Sequence, residues 1–153
     1  MENTAPTDVK TSLTKAVNDI LGVIEQDREK EIITRRFGLF DRRETLEQIG
    51  ELLGITRERV RQLEKAILIR LKIAADDGKV PAIHEVERMI IRDLSEAGRV
   101  ARVSDLTDRL VSAKSDPLSR AHIAFIAALA PNLVVVSEND SYYHAVGIKE
   151  YGD

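Results

Sequence analysis

Two runs of apolar residues at helical spacing, separated by Gly54, Ile55 and Thr56, stand out within residues 45–72. In the first run Leu46, Ile49, Leu52 and Leu53 share one side of a short helix. Thr45 followed three residues later by Gln48 is a capping-box start, in which hydroxyl and carboxamide each satisfy an amide that the first turn leaves unbonded. Gly54 ends that helix, since glycine enters the left-handed conformation without a Cβ penalty. Ile55 fills the turn and Thr56 supplies a second N-cap. The second run, Val60, Leu63, Ile67 and Leu71, predicts a longer helix with one buried stripe, extending to about Ala75. The pattern is a helix-turn-helix.

The flanks follow the same periodicity. Residues 1–7 read as a polar, mobile terminus. From Asp8 onward Leu13, Val17, Ile20, Leu21 and Ile24 predict an amphipathic helix that Gly22 weakens without breaking, expected to cover the helix that follows. That helix opens at Asp27-Arg28-Glu29, buries Ile32, Ile33 and Phe37, and stops at Gly38. Residues 39–44 form a loop. Residues 76–81 are a turn-rich break, short enough to hold the two halves in a fixed relation. Beyond it Ile83, Val86, Met89, Ile90 and Leu94 predict a helix ending at Gly98, and residues 100–103 a short extended piece. Ser104 or Asp105 is expected to cap a helix carrying Leu106, Leu110 and Val111. A turn over residues 114–117 leads to a helix over 121–129, stopped by Pro131. Residues 133–136 and 142–146 read as strands joined by a turn over 138–141, with Tyr142 and Tyr143 as packing residues of the wing. The expected fold is mainly α: a helix-turn-helix domain over residues 1–75, a linker over 76–81, and a small winged-helix α+β domain with a C-terminal β-hairpin over 82–153.

The polar side of the second helix carries Arg57, Glu58, Arg61, Gln62 and Lys65 near its N-terminal half. Arg donates two parallel hydrogen bonds to a guanine edge, Gln pairs both ways with adenine, and Glu accepts from the cytosine amino group. In helix-turn-helix proteins the start of the second helix meets the base edges. Thr56 and the amides of the helix start suit a phosphate oxygen. Arg42 and Arg43 in the preceding loop are backbone-contact candidates, and Arg35 and Arg36 face phosphate or solvent. A charged helix face alone is most often only solvated; the preceding helix and turn shift the reading to DNA.

The stretch GITRERVRQLEKAI, preceded by TLEQIGELL and by DREKEIITRRFGL, closely resembles region four of housekeeping-class bacterial sigma factors over residues 27–72. The resemblance implies a double-stranded DNA reader of the promoter −35 element that docks on the β flap of RNA polymerase. It implies base contacts from Arg57, Glu58, Arg61 and Gln62, and places Arg59, Thr45 and Leu46 at or near phosphates, alongside the backbone candidates Arg42, Arg43, Thr56 and Lys65. The sequence departs at KAILIRL, where Ile69 replaces a commonly basic position. Nothing in it resembles the sigma region that melts promoter DNA, so a complete sigma factor is not expected. The element order of the second half resembles winged helix-turn-helix domains of transcription and chromatin proteins, including the type at the N-terminus of the polymerase δ subunit.

Charge sharpens this division. Residues 28–72 hold twelve Lys/Arg against eight Asp/Glu, whereas residues 73–153 hold nine against thirteen. An electrostatic footprint for phosphates therefore lies in the middle of the chain. The third helix of the winged half, SRAHIAFIAALA, offers only Ser119, Arg120 and His122 as polar reach, which favours protein contact over DNA there. With hydrophobic content at 43% and aromatics at 4%, the cores must be aliphatic, which favours helices.

Cysteine is absent, which excludes disulfides, zinc knuckles and thiol catalysis. No apolar run approaches the ~20 residues needed to span a bilayer, and the N-terminus lacks a secretory pattern. His84, His122 and His144 are scattered, no phosphate-binding glycine loop or nucleophile elbow occurs, and neither enzyme chemistry, cofactor, metal nor small-molecule substrate is expected. The expected location is the bacterial cytoplasm, at the nucleoid. Two functions fit: a sequence-specific transcription regulator, or a module that docks on the polymerase flap or another regulator without reading DNA. A share in a split sigma factor is a third.

Overall fold

Local signals set most element boundaries. The computed structural model describes residues 5–112, 116–139 and 142–149. In chain order it contains α1 (Ala5–Gly22), α2 (Asp27–Phe37), α3 (Leu46–Leu53), α4 (Arg57–Asp76) and α5 (Pro81–Ala97), then β1 (Val100–Arg102), α6 (Val103–Val111), α7 (Pro117–Leu129), β2 (Leu133–Asn139) and β3 (Tyr142–Ile148). The strands form an antiparallel sheet in the order β1-β3-β2, so the second half has the winged-helix arrangement of helices and returning hairpin. The fold is mainly helical, a helix-turn-helix joined to a small winged region.

Several boundaries differ from expectation. Helix α1 already starts at Ala5, inside the stretch read as a mobile terminus, and ends at Gly22, leaving the buried Ile24 beyond it. Neither Ser104 nor Asp105 caps α6; its N-cap is Arg102, with no side-chain bond, because β1 runs straight into the helix. Helix α7 begins four residues early, at Pro117, where the missing N–H is no loss, and the Asp116 carboxylate accepts the Ser119 amide at 2.6 Å. Lys114 and the Asp140-Ser141 step of the expected turn lie outside the described residues, as do the side chains of Tyr142, Tyr143 and His144.

Helix α1 is not a cover for α2. Its buried Leu13, Ala16, Val17 and Ile20 pack mainly against α5, α6 and α7, and Lys10 reaches the α7 N-cap Asp116 at 3.3 Å. The helix that sequence order groups with the first half thus packs with the second. Its partners are fixed by which apolar faces remain open, and chain adjacency carries no such information.

Helix α7 sits at the centre. It packs on α1, α4, α5, α6 and both hairpin strands, and from His122 to Leu129 every residue is buried. Fully burying Phe125 alone is worth roughly 1.5–3 kcal/mol. The two halves meet on this helix: the Phe37 and Phe125 rings lie 4.9 Å apart with planes tilted by 49°, and His122 Nε2 lies 2.9 Å from the Leu39 carbonyl. The break after α4 is itself bonded, Lys79 N–H to the Ala74 carbonyl at 3.0 Å, with Val80 buried. One apolar cluster runs through both halves.

Candidate nucleic-acid interface

The loop leading into the helix-turn-helix is tightly folded. Gly38 closes α2 at φ 66°, and a Cβ there would stand 2.9 Å from both the Arg43 amide and the Asp41 carbonyl. The Glu44 amide returns to the Arg35 carbonyl at 2.9 Å. Arg42 and Arg43 are exposed on this loop, immediately before α3.

The capping box is formed as the sequence implies. Thr45 Oγ1 accepts the Gln48 amide at 3.0 Å and Gln48 Oε1 accepts the Thr45 amide at 2.9 Å. Thr56 Oγ1 likewise accepts the Arg59 amide at 3.1 Å. Both hydroxyls act as acceptors in these caps, so each keeps its own O–H free to donate. Leu46 is only 5% exposed, so its side chain belongs to the core and its main-chain N–H is what a phosphate can reach.

Gly50 brings α3 and α4 together. A Cβ at this position would lie 2.6 Å from the Ile55 carbonyl oxygen and 3.4 Å from the Arg57 amide. The same carbonyl-rich turn is closed by the Ile55 amide donating to the Gly50 carbonyl at 2.9 Å. The sequence reading passed over Gly50. A glycine inside an otherwise well-capped helix costs about 0.5–1 kcal/mol relative to alanine, and that cost is the signal of a close backbone approach.

Helix α4 presents Arg57, Glu58, Arg59, Arg61, Gln62 and Lys65 to solvent while Val60, Ile67, Leu71 and Ala75 are buried. Glu58 and Arg61 are joined by two bonds, Nε to Oε1 at 3.0 Å and a terminal guanidinium nitrogen to Oε2 at 2.7 Å. The bond from Arg61 holds the Glu58 carboxyl below the usual carboxylate range, helped by the Arg61 charge, by Gln62 and by the Arg57 charge. Arg59 reaches Gln62 Oε1 at 3.4 Å. The groove-reading chemistries therefore form one ordered polar surface.

Of Arg35 and Arg36, near the end of α2, one is buried and both are paired. Arg36, read as facing phosphate or solvent, is 7% exposed and donates to Glu64 at 2.8 Å, pinning α2 to α4. Arg35 bridges Glu31 at 3.1 Å and Glu44 at 2.7 Å. Arg70 binds Glu29 at 2.7 Å, a second tie between α4 and α2. For Arg36 and Arg70 a partner on another helix decided the role, which nothing local marks, whereas the Glu31–Arg35 pair follows from i,i+4 spacing within α2. Leu52, expected on the buried side of α3, is exposed, as are Ile69 and Ile73 on α4. Of the three polar residues expected to reach out from α7, Ser119 and His122 are buried and Arg120 is half-buried.

Residues 26–72 match the family model for sigma-70, region 4. The RNA polymerase principal sigma factor HrdD of Streptomyces griseus is 45% identical over 62 residues, which are 40% of this chain and 18% of that protein. The RNA polymerase sigma factor sigB of Arabidopsis thaliana is 52% identical over 46 residues, 29% of this chain and 8% of that protein. The matched segment thus spans less than a fifth of either relative. It coincides with α2, the tight loop and the helix-turn-helix, whose caps and interhelix ion pairs are those described above, and residues 26–72 are a sigma-70 region 4 domain.

Proposed function

We propose that this protein is a non-enzymatic, sequence-specific DNA-binding transcription regulator that recognises a −35-like promoter element and acts with RNA polymerase in the bacterial cytoplasm, at the nucleoid. The observation that carries the reading is the exposed, ordered row Arg57, Glu58, Arg61 and Gln62 at the start of a helix held against α3 by the Gly50 contact. These four contact bases. Arg42, Arg43, Arg59, Lys65, the Thr45 and Thr56 hydroxyls and the Leu46 amide hold the phosphates on either side.

Selection from a random-sequence DNA library, followed by anisotropy binding at two salt concentrations, tests it. Arg57→Ala or Arg61→Ala costs about 1–3 kcal/mol on the selected site and relaxes specificity at single positions, whereas Arg42→Ala weakens all sequences alike and flattens the salt dependence. Equal losses on selected and random DNA from every substitution would refute base reading. The exposed Ile69 and Ile73 favour a second reading, in which this domain docks on the polymerase flap without reading DNA. Polymerase pull-down that survives Arg57→Ala/Arg61→Ala, with no selected DNA motif, is the result expected from it.

A further inference from the structure

The outer face of the three-stranded sheet is built from register. Val100 of β1 and Val134 of β2 flank Gly147 of β3, and in the next row Arg102 and Val136 flank Ala145. The opposite face, with Ala101, Val135 and the fully buried Val146, closes on the helices. Val100, Val134 and Val136 are 57%, 44% and 47% exposed. A Cβ at Gly147 would lie 3.6 Å from a methyl of Val100 and 3.6 Å from one of Val134, so the two valines stand on the same side above a floor of small residues. The result is a shallow apolar trough across the strands, where isolated exposed valines would need no explanation but an aligned set does.

Its charge sets it apart from its surroundings. Residues 73–153 carry an excess of acid, nine Lys/Arg against thirteen Asp/Glu. Yet the described strand side chains include no Asp or Glu, and Arg102 lies in the outer row itself. Lys149, exposed, two residues beyond Gly147 and still bonded through its amide to the Asn132 carbonyl at 2.9 Å, follows Ala145 and Gly147 along the line of β3. Among the described residues the outer face is therefore apolar at its middle, with one cation, Arg102, on the β1 edge and another, Lys149, beyond the end of β3.

We infer that this sheet face is a docking surface for a protein segment that combines aliphatic and acidic side chains, the acids meeting Arg102 and Lys149. Nucleic acid would satisfy the cations but leave the valines in water. A second copy of the chain, paired face to face about a two-fold axis, would bring these cations together. Because α7 joins the sheet to the region 4 domain through Phe125 and His122, a partner bound here is held in a fixed position relative to α4.

The test uses the full chain as bait for a displayed library of short random peptides, with enriched peptides then measured individually against two variants. The expected result is enrichment of peptides carrying both aliphatic and acidic residues. Their binding is abolished by Val134→Lys/Val136→Lys and weakened about tenfold by Arg102→Glu, a charge reversal opposite an acidic partner. Thermal unfolding followed by far-UV circular dichroism serves as the fold control for both variants. Absence of enrichment, peptides without an acidic component, or binding indifferent to both variants would overturn the inference. So would a dimer in sedimentation that Val134→Lys/Val136→Lys disperses, which would give the face to a second copy. None of these outcomes bears on DNA reading by α4, so the two proposals fail separately.

Discussion

Replacing Gly50 by alanine sets two effects of known sign against each other. Gly50 lies inside α3, where alanine is preferred by about 0.5–1 kcal/mol. Its added Cβ, however, would stand 2.6 Å from the Ile55 carbonyl oxygen, against 3.4 Å or more for an ordinary contact. The obstacle is backbone, with no flexible side chain to swing away, so α3 and the turn must separate. Overpacking of this kind costs typically about 1–3 kcal/mol. The expected net effect is a loss of about 1–2 kcal/mol in urea unfolding with an unchanged slope, accompanied by weaker binding to the selected DNA because the start of α4 is displaced. Gly22→Ala is the matched control: nothing lies within 4 Å of its Cβ position, and it should be neutral or gain up to about 1 kcal/mol through the unfolded chain. Gly50→Ala proving as stable as the unmodified protein, or more so, would refute the reasoning that the close approach of the Ile55 carbonyl requires glycine at this position.

Arg36→Met should cost about 3 kcal/mol because it strands Glu64 at the α2–α4 contact, while Arg36→Met/Glu64→Leu should recover most of that loss; a double-mutant cycle in urea measures it, and a single-mutant cost below about 1 kcal/mol would show the pair to be dispensable. Burial holds the His122 imidazole below its ordinary range of 6.5, against the smaller raising effects of its bond to the Leu39 carbonyl and of Asp116. Its folded-state pKa is thus below the unfolded one, so its contribution is complete above about pH 6.5 and is lost as pH falls from there through the lowered value. Stability should therefore drop between pH 7 and 5 in the unmodified protein and drop less in His122→Gln; identical pH slopes would contradict this. Thr45→Ala removes one half of the capping box and should cost about 0.5–2 kcal/mol by the same urea assay, with an effect near zero arguing that the Gln48 side chain suffices.

The helix-turn-helix was legible because its signals are local. Thr45 and Gln48 bond to each other, Thr56 caps the helix it precedes, Gly38 and Gly54 take the left-handed conformation, and the stripe Val60, Ile67, Leu71 needs only helical geometry to be recognised. The exposed row Arg57, Glu58, Arg61, Gln62 and Lys65 follows from that stripe, since residues opposite a buried face must meet solvent. The element order of the winged half was equally readable from periodicity and turn residues, though not the starts of α6 and α7, where a strand runs into a helix or proline takes its first position. What the tertiary structure decided is which faces meet. Long-range packing sent α1 to α5, α6 and α7, turned His122 and Ser119 inward on a central α7, withdrew Arg36 into a pair with Glu64, and left Leu52 in water. Hydrogen bonds within a turn are written in a few consecutive residues. The choice among apolar surfaces depends on the shape and volume that every other element leaves free, and no short stretch of sequence contains it.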